Sequence, residues 1–378
     1  MIESNSQYQA LARKYRPQCF EDVVGQEHVI NTLINSIEQN RIHHAYLLTG
    51  TRGIGKTTIA RIIAKCLECE NGISAHPHMD GSEKCSNCIS IQNGVFPDVI
   101  EIDGASQTKV DDTRALLENT QYPPMQGRFK IYIIDEVHML SNSSFNALLK
   151  TLEEPPAYVK FILATTDPHK IPTTVLSRCL KFQLKALTIE QIAYQIDNIC
   201  KKEGIALENE ASYLLARAAK GSMRDALSLC DQALALGNGN ITKDTVLSML
   251  STAGDSFVVQ ILELLKTNSQ TDLATVLDNI RAISPNYKNL LDDLVTAFHD
   301  LALYQMMGNR NSLRIYSLDN AILDNYAKSF TAEAVQLYYQ ICLAGIEECK
   351  NAPDQSTAFE MAVLRLLAFS AQKKRLDR

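Results

Sequence analysis

Eight consecutive residues carry the chemistry most readily read from this chain: Gly50 to Thr57, GTRGIGKT, match the pattern G-x-x-x-x-G-K-[ST]. Gly50, Gly53 and Gly55 let the backbone wrap around a triphosphate, with Ile54 between them and successive N–H groups pointing inward. Lys56 supplies a cation for the β- and γ-phosphates, and the Thr57 hydroxyl is a ligand for Mg²⁺. Thr58 continues the first turn of the helix that begins here, whose N-terminus adds a positive dipole end. A triphosphate site needs a second acidic group for the metal. In IYIIDE, Asp135 follows the apolar run Ile131–Ile134 and could hold Mg²⁺ through water. Glu136 beside it could orient and deprotonate an attacking water, which favours hydrolysis over transfer to a small acceptor.

These groups must be positioned by alternating strands and helices. Apolar runs at Tyr46–Leu48, Val99–Ile102, Ile131–Ile134 and Phe161–Ala164 predict buried strands of a parallel sheet. One lies just before the glycine-rich loop. After the loop, Ile59, Ile62, Ile63, Cys66 and Leu67 fall on one face of a helix. Ser141–Leu152 predicts another helix, stopped by Pro155 and Pro156. From Thr188 the strand signals disappear. Thr188 with Gln191 forms a capping box ahead of Ile192, Ile196 and Ile199. Val258, Ile261, Leu262 and Leu265, then Leu290, Leu291, Leu294 and Phe298, continue the helical pattern to the end of the chain. The expected division is residues 1–187, 188–251 and 252–378.

At 378 residues, 46% hydrophobic and 21% charged, the composition is that of a globular chain of two or three domains. The longest apolar runs are strand-sized, well short of the roughly 18 residues a membrane helix needs, and the N-terminus has no apolar signal segment. A cytoplasmic location is expected, with no membrane partner. With 37 basic against 43 acidic residues and a net charge of −6, any nucleic-acid contact has to come from a local cluster. Ten cysteines without a secretion signal suggest thiols or metal ligands. By spacing, Cys66, Cys69, Cys85 and Cys88 read C-x₂-C-x₁₅-C-x₂-C, a zinc pattern in a loop spanning residues 66–90. The helical face argues against Cys66, which it turns toward the core.

Six segments together resemble one family: LARKYRPQ with FEDVVGQEH, the glycine-rich loop, EIDGASQTKVDDTR, IDEVHMLSNSSFNALLKTLEEPP, LATTDPHKIPTTVLSRC and GSMRDALSL. In order and spacing they are similar to the gamma/tau subunits of bacterial DNA polymerase III clamp loaders, almost continuously over the first 250 residues. The helical remainder resembles the family's collar more loosely, and the chain resembles the shorter family product or a fragment of the longer one.

The resemblance implies an α/β AAA+ P-loop domain with a parallel sheet, a small helical lid and an all-α collar. It also implies ATP hydrolysis that loads a sliding clamp onto primed DNA during replication, with polymer chemistry in another subunit of the holoenzyme. The implied cofactors are ATP, Mg²⁺ and structural Zn²⁺. The implied partners are the delta and delta prime subunits in a five-membered ring, the beta sliding clamp and primer–template DNA. Leu11, Ala12, Arg16, Pro17 and Val24 match the adenine surround. Thr166 matches sensor 1, Arg224 sensor 2, and Arg178 the finger that completes a neighbour's site. Thr108, Lys109 and Arg114 match contacts to the template backbone, where Gln107 replaces a basic residue common in the family. The family's zinc set implies Cys69, His78, Cys85 and Cys88, with Cys66 or His76 as the alternative fourth ligand. A DNA-translocating AAA+ motor and a non-hydrolysing scaffold subunit are the competing readings. The zinc loop speaks against the first, and intact Gly55–Thr57 with Asp135 and Glu136 against the second.

Overall fold

Strand β1 (Ala45–Thr49) lies one in from the edge of a five-stranded sheet whose order is β2-β3-β4-β1-β5, with every neighbouring pair parallel. The others are β2 (Val99–Asp103), β3 (Lys130–Asp135), β4 (Val159–Thr165) and β5 (Leu180–Gln183). The computed structural model describes residues 9–77, 85–105, 119–250, 254–307 and 320–376. The chain forms two compact units, Met1–Lys243 and Asp244–Arg378.

Four of the five strands are those the apolar runs predict. The fifth, LKFQ, escaped because only Phe182 is buried in it, as befits an edge strand paired on one side. Alternate residues of the inner strands serve opposite layers. Tyr46, Leu48, Ile131, Ile133, Ile162 and Ala164 pack with helices α2 (Glu27–Glu38) and α3 (Lys56–Glu68), which follow the short α1 (Leu11–Lys14). Ala45, Leu47, Tyr132, Ile134, Phe161 and Leu163 pack with Phe145, Leu148 and Leu152 of the helix Asn142–Glu153. A sheet covered on both faces needs near-continuous apolar strands, which is why β4 is buried along its whole length. In α3 the face Ile59, Ile62, Ile63, Cys66 and Leu67 is fully sequestered, each large aliphatic contributing roughly 1.5–3 kcal/mol.

The same unit continues into a small helical subdomain. The helix Ile189–Glu203 starts with the predicted capping box, Thr188 N donating to Gln191 Oε1 at 3.0 Å and Gln191 N to Thr188 Oγ1 at 3.3 Å, and ends at left-handed Gly204. Helices Asn209–Ala218 and Met223–Leu236 pack against it. Strand signals do not vanish here entirely: Ala206–Leu207 and Asn240–Ile241 form a two-residue parallel pair, too short for any periodicity to announce.

The second unit is helical throughout its described residues. Its core gathers Val258, Ile261, Leu262, Leu290, Leu291, Leu294 and Phe298 with Val335, Cys342, Phe359 and Val363. Gly345 of the helix Ala332–Asn351 lets that helix approach Gln355–Leu376 closely, since a Cβ there would lie 2.9 Å from that of Ala362. Among the described residues, no helix is long and apolar enough to cross a membrane.

Candidate nucleotide site and cysteine cluster

The carboxyl ends of β2 and β3 and the loop that follows β1 converge on one cavity of about 1240 Å³. Gly53, Ile54, Gly55, Lys56, Thr57 and Thr58 line it, with Asp135, Glu136 and, from the N-terminal segment, Ala12, Arg16, Pro17 and Val24. Gly55 has φ 104° and caps α3, a left-handed conformation that explains the glycine. Gly50 lies at the entry of the loop, its N–H donating to Thr165 O at 3.3 Å.

Lys56 is buried and folds back, donating to the carbonyls of Gly50 at 2.9 Å and Thr51 at 3.0 Å. Burial lowers its pKa, while the charges of Glu136 and Asp135 pull the other way. The Thr57 hydroxyl donates to Asp135 Oδ2 at 2.5 Å, so both expected Mg²⁺ ligands sit at one point. Glu136 is left-handed (φ 45°), and its Oε2 accepts from Thr166 N at 3.1 Å and Thr166 Oγ1 at 2.9 Å. Thr166 thus reaches the site through Glu136 rather than by lining the cavity.

The helical subdomain closes the other side. Arg224 lines the cavity, and its N–H donates to Gly53 O at 3.3 Å. Gly53 (φ 78°) has no room for a side chain, because a Cβ would lie 2.0 Å from Ser222 Oγ. Arg16 shares the cavity with Arg13, Arg52, Arg61 and Arg224, and burial together with the Arg61 charge lowers its pKa. Leu11 is buried, its N–H donating to Asp231 Oδ2 at 3.0 Å, so it fastens the segment to the helix Met223–Leu236 without lining the cavity. Arg178 lies outside this cavity. Its guanidinium pairs with Glu153 at 2.7 Å and donates to Thr174 O at 2.7 Å.

Cys69, at the end of α3, meets Cys85 and Cys88 at the start of α4 (Ser86–Gln92), and their sulfurs lie within 4.8 Å of one another. All three are buried. Tetrahedral zinc with 2.3 Å bonds sets sulfurs ~3.8 Å apart, so the cluster fits three ligands of such an ion. Burial pushes the Cys85 thiol up, but the N–H donors of Glu70 and Cys88, each 3.4 Å from Sγ, together with the neighbouring Cys88 and Cys69 thiols, outweigh it and the net shift is down. Cys66 is separate: its Sγ faces Ala75 O at 3.5 Å within the α3 core. His76 is exposed and paired with Glu21 at 2.5 Å. His78 lies outside the described residues, as do Thr108, Lys109 and Arg114.

Several residues that shape these sites had no signal in the sequence. Buried Glu68 accepts from the N–H groups of Arg128 at 2.7 Å and Phe129 at 2.8 Å, and the Arg128 guanidinium donates to Cys69 O at 2.6 Å. Asp98 accepts from Met125, Gln126 and Gly127, each at 2.7 Å. Such carboxylates are satisfied by a distant loop, and nothing local marks them. His138 had a signal, the motif IDEVHML, but only the fold brings it beside Glu136.

Comparison with known proteins agrees with this architecture. Residues 25–188 match the family described as DNA polymerase III, delta subunit. Residues 191–239 match the DNA polymerase III clamp loader subunit ATPase lid domain, and residues 241–378 domain III of DNA polymerase III subunits gamma and tau. DNA polymerase III subunit gamma of Buchnera aphidicola subsp. Baizongia pistaciae is 44% identical over 95% of this chain and 96% of its own length. The chain belongs to the DNA polymerase III gamma/tau family. DNA polymerase III subunit tau of Escherichia coli is 50% identical over 96% of this chain but only 56% of its own length, so the chain spans little more than half of that longer relative. Solved structures of a Thermotoga maritima Holliday junction branch migration motor overlap 70% of this chain and 85% of theirs, at TM-score 0.49 and 21% identity, and no functional weight rests on that overlap.

Proposed function

We propose that this chain is an ATP-hydrolysing motor subunit of a DNA polymerase III clamp loader. The observation that carries the reading is the convergence of Lys56, Thr57, Asp135 and Glu136 on one cavity that Arg224 also lines. Lys56 would exchange its two carbonyl partners for phosphate oxygens, a short movement for a flexible side chain. Thr57 and Asp135 would hold Mg²⁺, which when bound offsets charge on the phosphates. Glu136 would take a proton from water as the water oxygen bonds to the γ-phosphorus. The bond from that phosphorus to the β-phosphate oxygen breaks, and ADP and phosphate result.

Arg178 supports action in a ring. Its guanidinium is held on the surface by Glu153 and Thr174, away from its own cavity, as a group serving a neighbour's site needs to be. The proposed partners are delta, delta prime, the sliding clamp and primed DNA, the last met by Thr108, Lys109 and Arg114. Zinc would be structural, on Cys69, Cys85 and Cys88 with His78 as fourth ligand, because four protein ligands leave no position for water. The division into residues 1–187, 188–251 and 252–378 belongs to the same reading, as does a cytoplasmic location. Polymerase activity would be a property of the whole holoenzyme.

The test is ATP hydrolysis by the purified chain, alone and with delta, delta prime, clamp and primed DNA. Stimulation by clamp and primed DNA, lost in Lys56→Ala, is expected. Hydrolysis that is absent in every mixture would leave the scaffold reading, and unwinding without clamp the translocating one.

A further inference from the structure

His138 is unused in the reading above, yet its ring is nearly buried beside the proposed base. Glu136 occupies a left-handed turn, and the short 3₁₀ helix Val137–Met139 that follows swings His138 back toward β4. Its Nδ1 lies 3.3 Å from Glu136 Oε2 and 2.9 Å from Thr165 Oγ1, and its side chain is 9% exposed. The Thr165 hydroxyl also accepts from Asp167 N at 3.0 Å, and Thr165 O accepts the Gly50 N–H at the loop entry.

Nδ1 has a single hydrogen to give, and its hydrogen bond is with Thr165 Oγ1 at 2.9 Å; Glu136 Oε2, which can only accept, stands 3.3 Å from the same nitrogen at ion-pair distance. Oε2 accepts two hydrogen bonds, from Thr166 N and Thr166 Oγ1, and has the polar edge of the His138 ring 3.3 Å away, held there by Thr165. No hydrogen bond reaches Oε1 among the described residues. The two oxygens of one carboxylate are therefore unequal. Donors stabilise negative charge on Oε2 and fix the side-chain rotation, and the lone pairs of Oε1 stay available.

We propose that His138 is a positioning residue that, with Thr166, anchors Glu136 through Oε2 so that Oε1 is the oxygen that takes the proton from water. The inference rests on the reading of Glu136 as base. The ring does not touch the reacting atoms. It acts by holding the carboxylate, and Thr165 ties that hold to the strand from which the phosphate loop is hung.

The experiment measures ATP turnover and ATP affinity in the assembled loader with clamp and primed DNA, for Glu136→Gln, His138→Asn and His138→Gln. An Asn amide can sit where Nδ1 sits, and a Gln amide reaches only the Nε2 position. Glu136→Gln is expected to bind ATP but not hydrolyse it. His138→Gln is expected to lower kcat by roughly 10- to 100-fold, the cost of a misplaced catalytic group, with the Kd for ATP within about twofold of the parent. His138→Asn should recover most of the rate. Equal kcat in His138→Gln and the parent overturns the proposal, as does His138→Asn being no faster than His138→Gln, which would make the ring a packing element. Hydrolysis surviving in Glu136→Gln would instead overturn the reading of the base itself.

Discussion

The hydroxyl of Thr57 donates to Asp135 Oδ2 at 2.5 Å across a sequence separation of 78 residues. One group belongs to the first turn of α3 and the other to the end of β3, and the meeting point is where a divalent cation would be shared. Thr57→Val keeps the shape and removes the oxygen. ATP affinity measured with Mg²⁺ should fall about tenfold or more, near 1.4 kcal/mol, while affinity in chelator changes little. Equal losses in both conditions would mean that the hydroxyl serves the fold and not the metal.

Arg178 should act on a neighbour. A finger supplied in trans is worth roughly 10³–10⁵ in rate, so Arg178→Ala should keep ATP affinity and lose DNA-stimulated hydrolysis. Mixed with Lys56→Ala protein it should regain some activity, because an intact loop can then face an intact finger. Mixtures that never exceed either parent would refute the assignment. Breaking the Glu153 pair itself should cost under about 1 kcal/mol of stability, since it is an exposed ion pair.

The cysteines separate into ligands and core. Cys69→Ser, Cys85→Ser and Cys88→Ser should each lower zinc content, and His78→Ala should lower it less. Cys66→Ala should retain one zinc per chain at a packing cost of about 1 kcal/mol, and His76→Ala should retain it too. Elemental analysis of purified variants decides. Full zinc in His78→Ala together with loss in Cys66→Ala would restore the two-by-two cysteine set.

Gly53→Ala should be harmful for two reasons that add. A left-handed φ of 78° costs an L-residue about 1–2 kcal/mol, and the new methyl meets Ser222 Oγ at 2.0 Å. Thermal unfolding should show the loss, and ATP affinity should fall as the helix bearing Arg224 is pushed away. Adding Ser222→Ala removes the closest atom and should recover part of the affinity. Independent, additive effects of the two substitutions would show that the loop and that helix are not in contact as described.

Much of the candidate site was legible because it is written in short, periodic pieces. GTRGIGKT and IYIIDE each contain both the strand or helix signal and the reactive groups, so their placement needed only a parallel sheet to bring them together. The α3 face separated Cys66 from the other cysteines for the same reason. What escaped depends on partners distant in sequence. Asp98 and Glu68 look like ordinary surface acids until a loop some 30 to 60 residues later offers its N–H groups. β5 escaped because an edge strand need not be apolar, and the approach of the His138 ring to Glu136 because a turn, not a periodic element, aims the ring.

The placement of β1 between the two last strands of the sheet has a consequence for synthesis. Its two sheet neighbours are β4 and β5, and the last of these pairs Leu180 with Tyr46, roughly 130 residues later in the chain. At roughly 5–20 residues per second, a ribosome needs about 7–27 s to supply the missing strands after β1 has been made. Until β4 has been made the strand that leads into the phosphate loop has neither edge paired, its second edge waits for β5, and the apolar face of α3 lacks the β3 and β4 side chains that later cover it. The nucleotide therefore cannot template the fold early. The cavity wall is completed later still, by Met223 and Arg224, so a nascent chain halted before Gln183 should gain no protease protection from ATP.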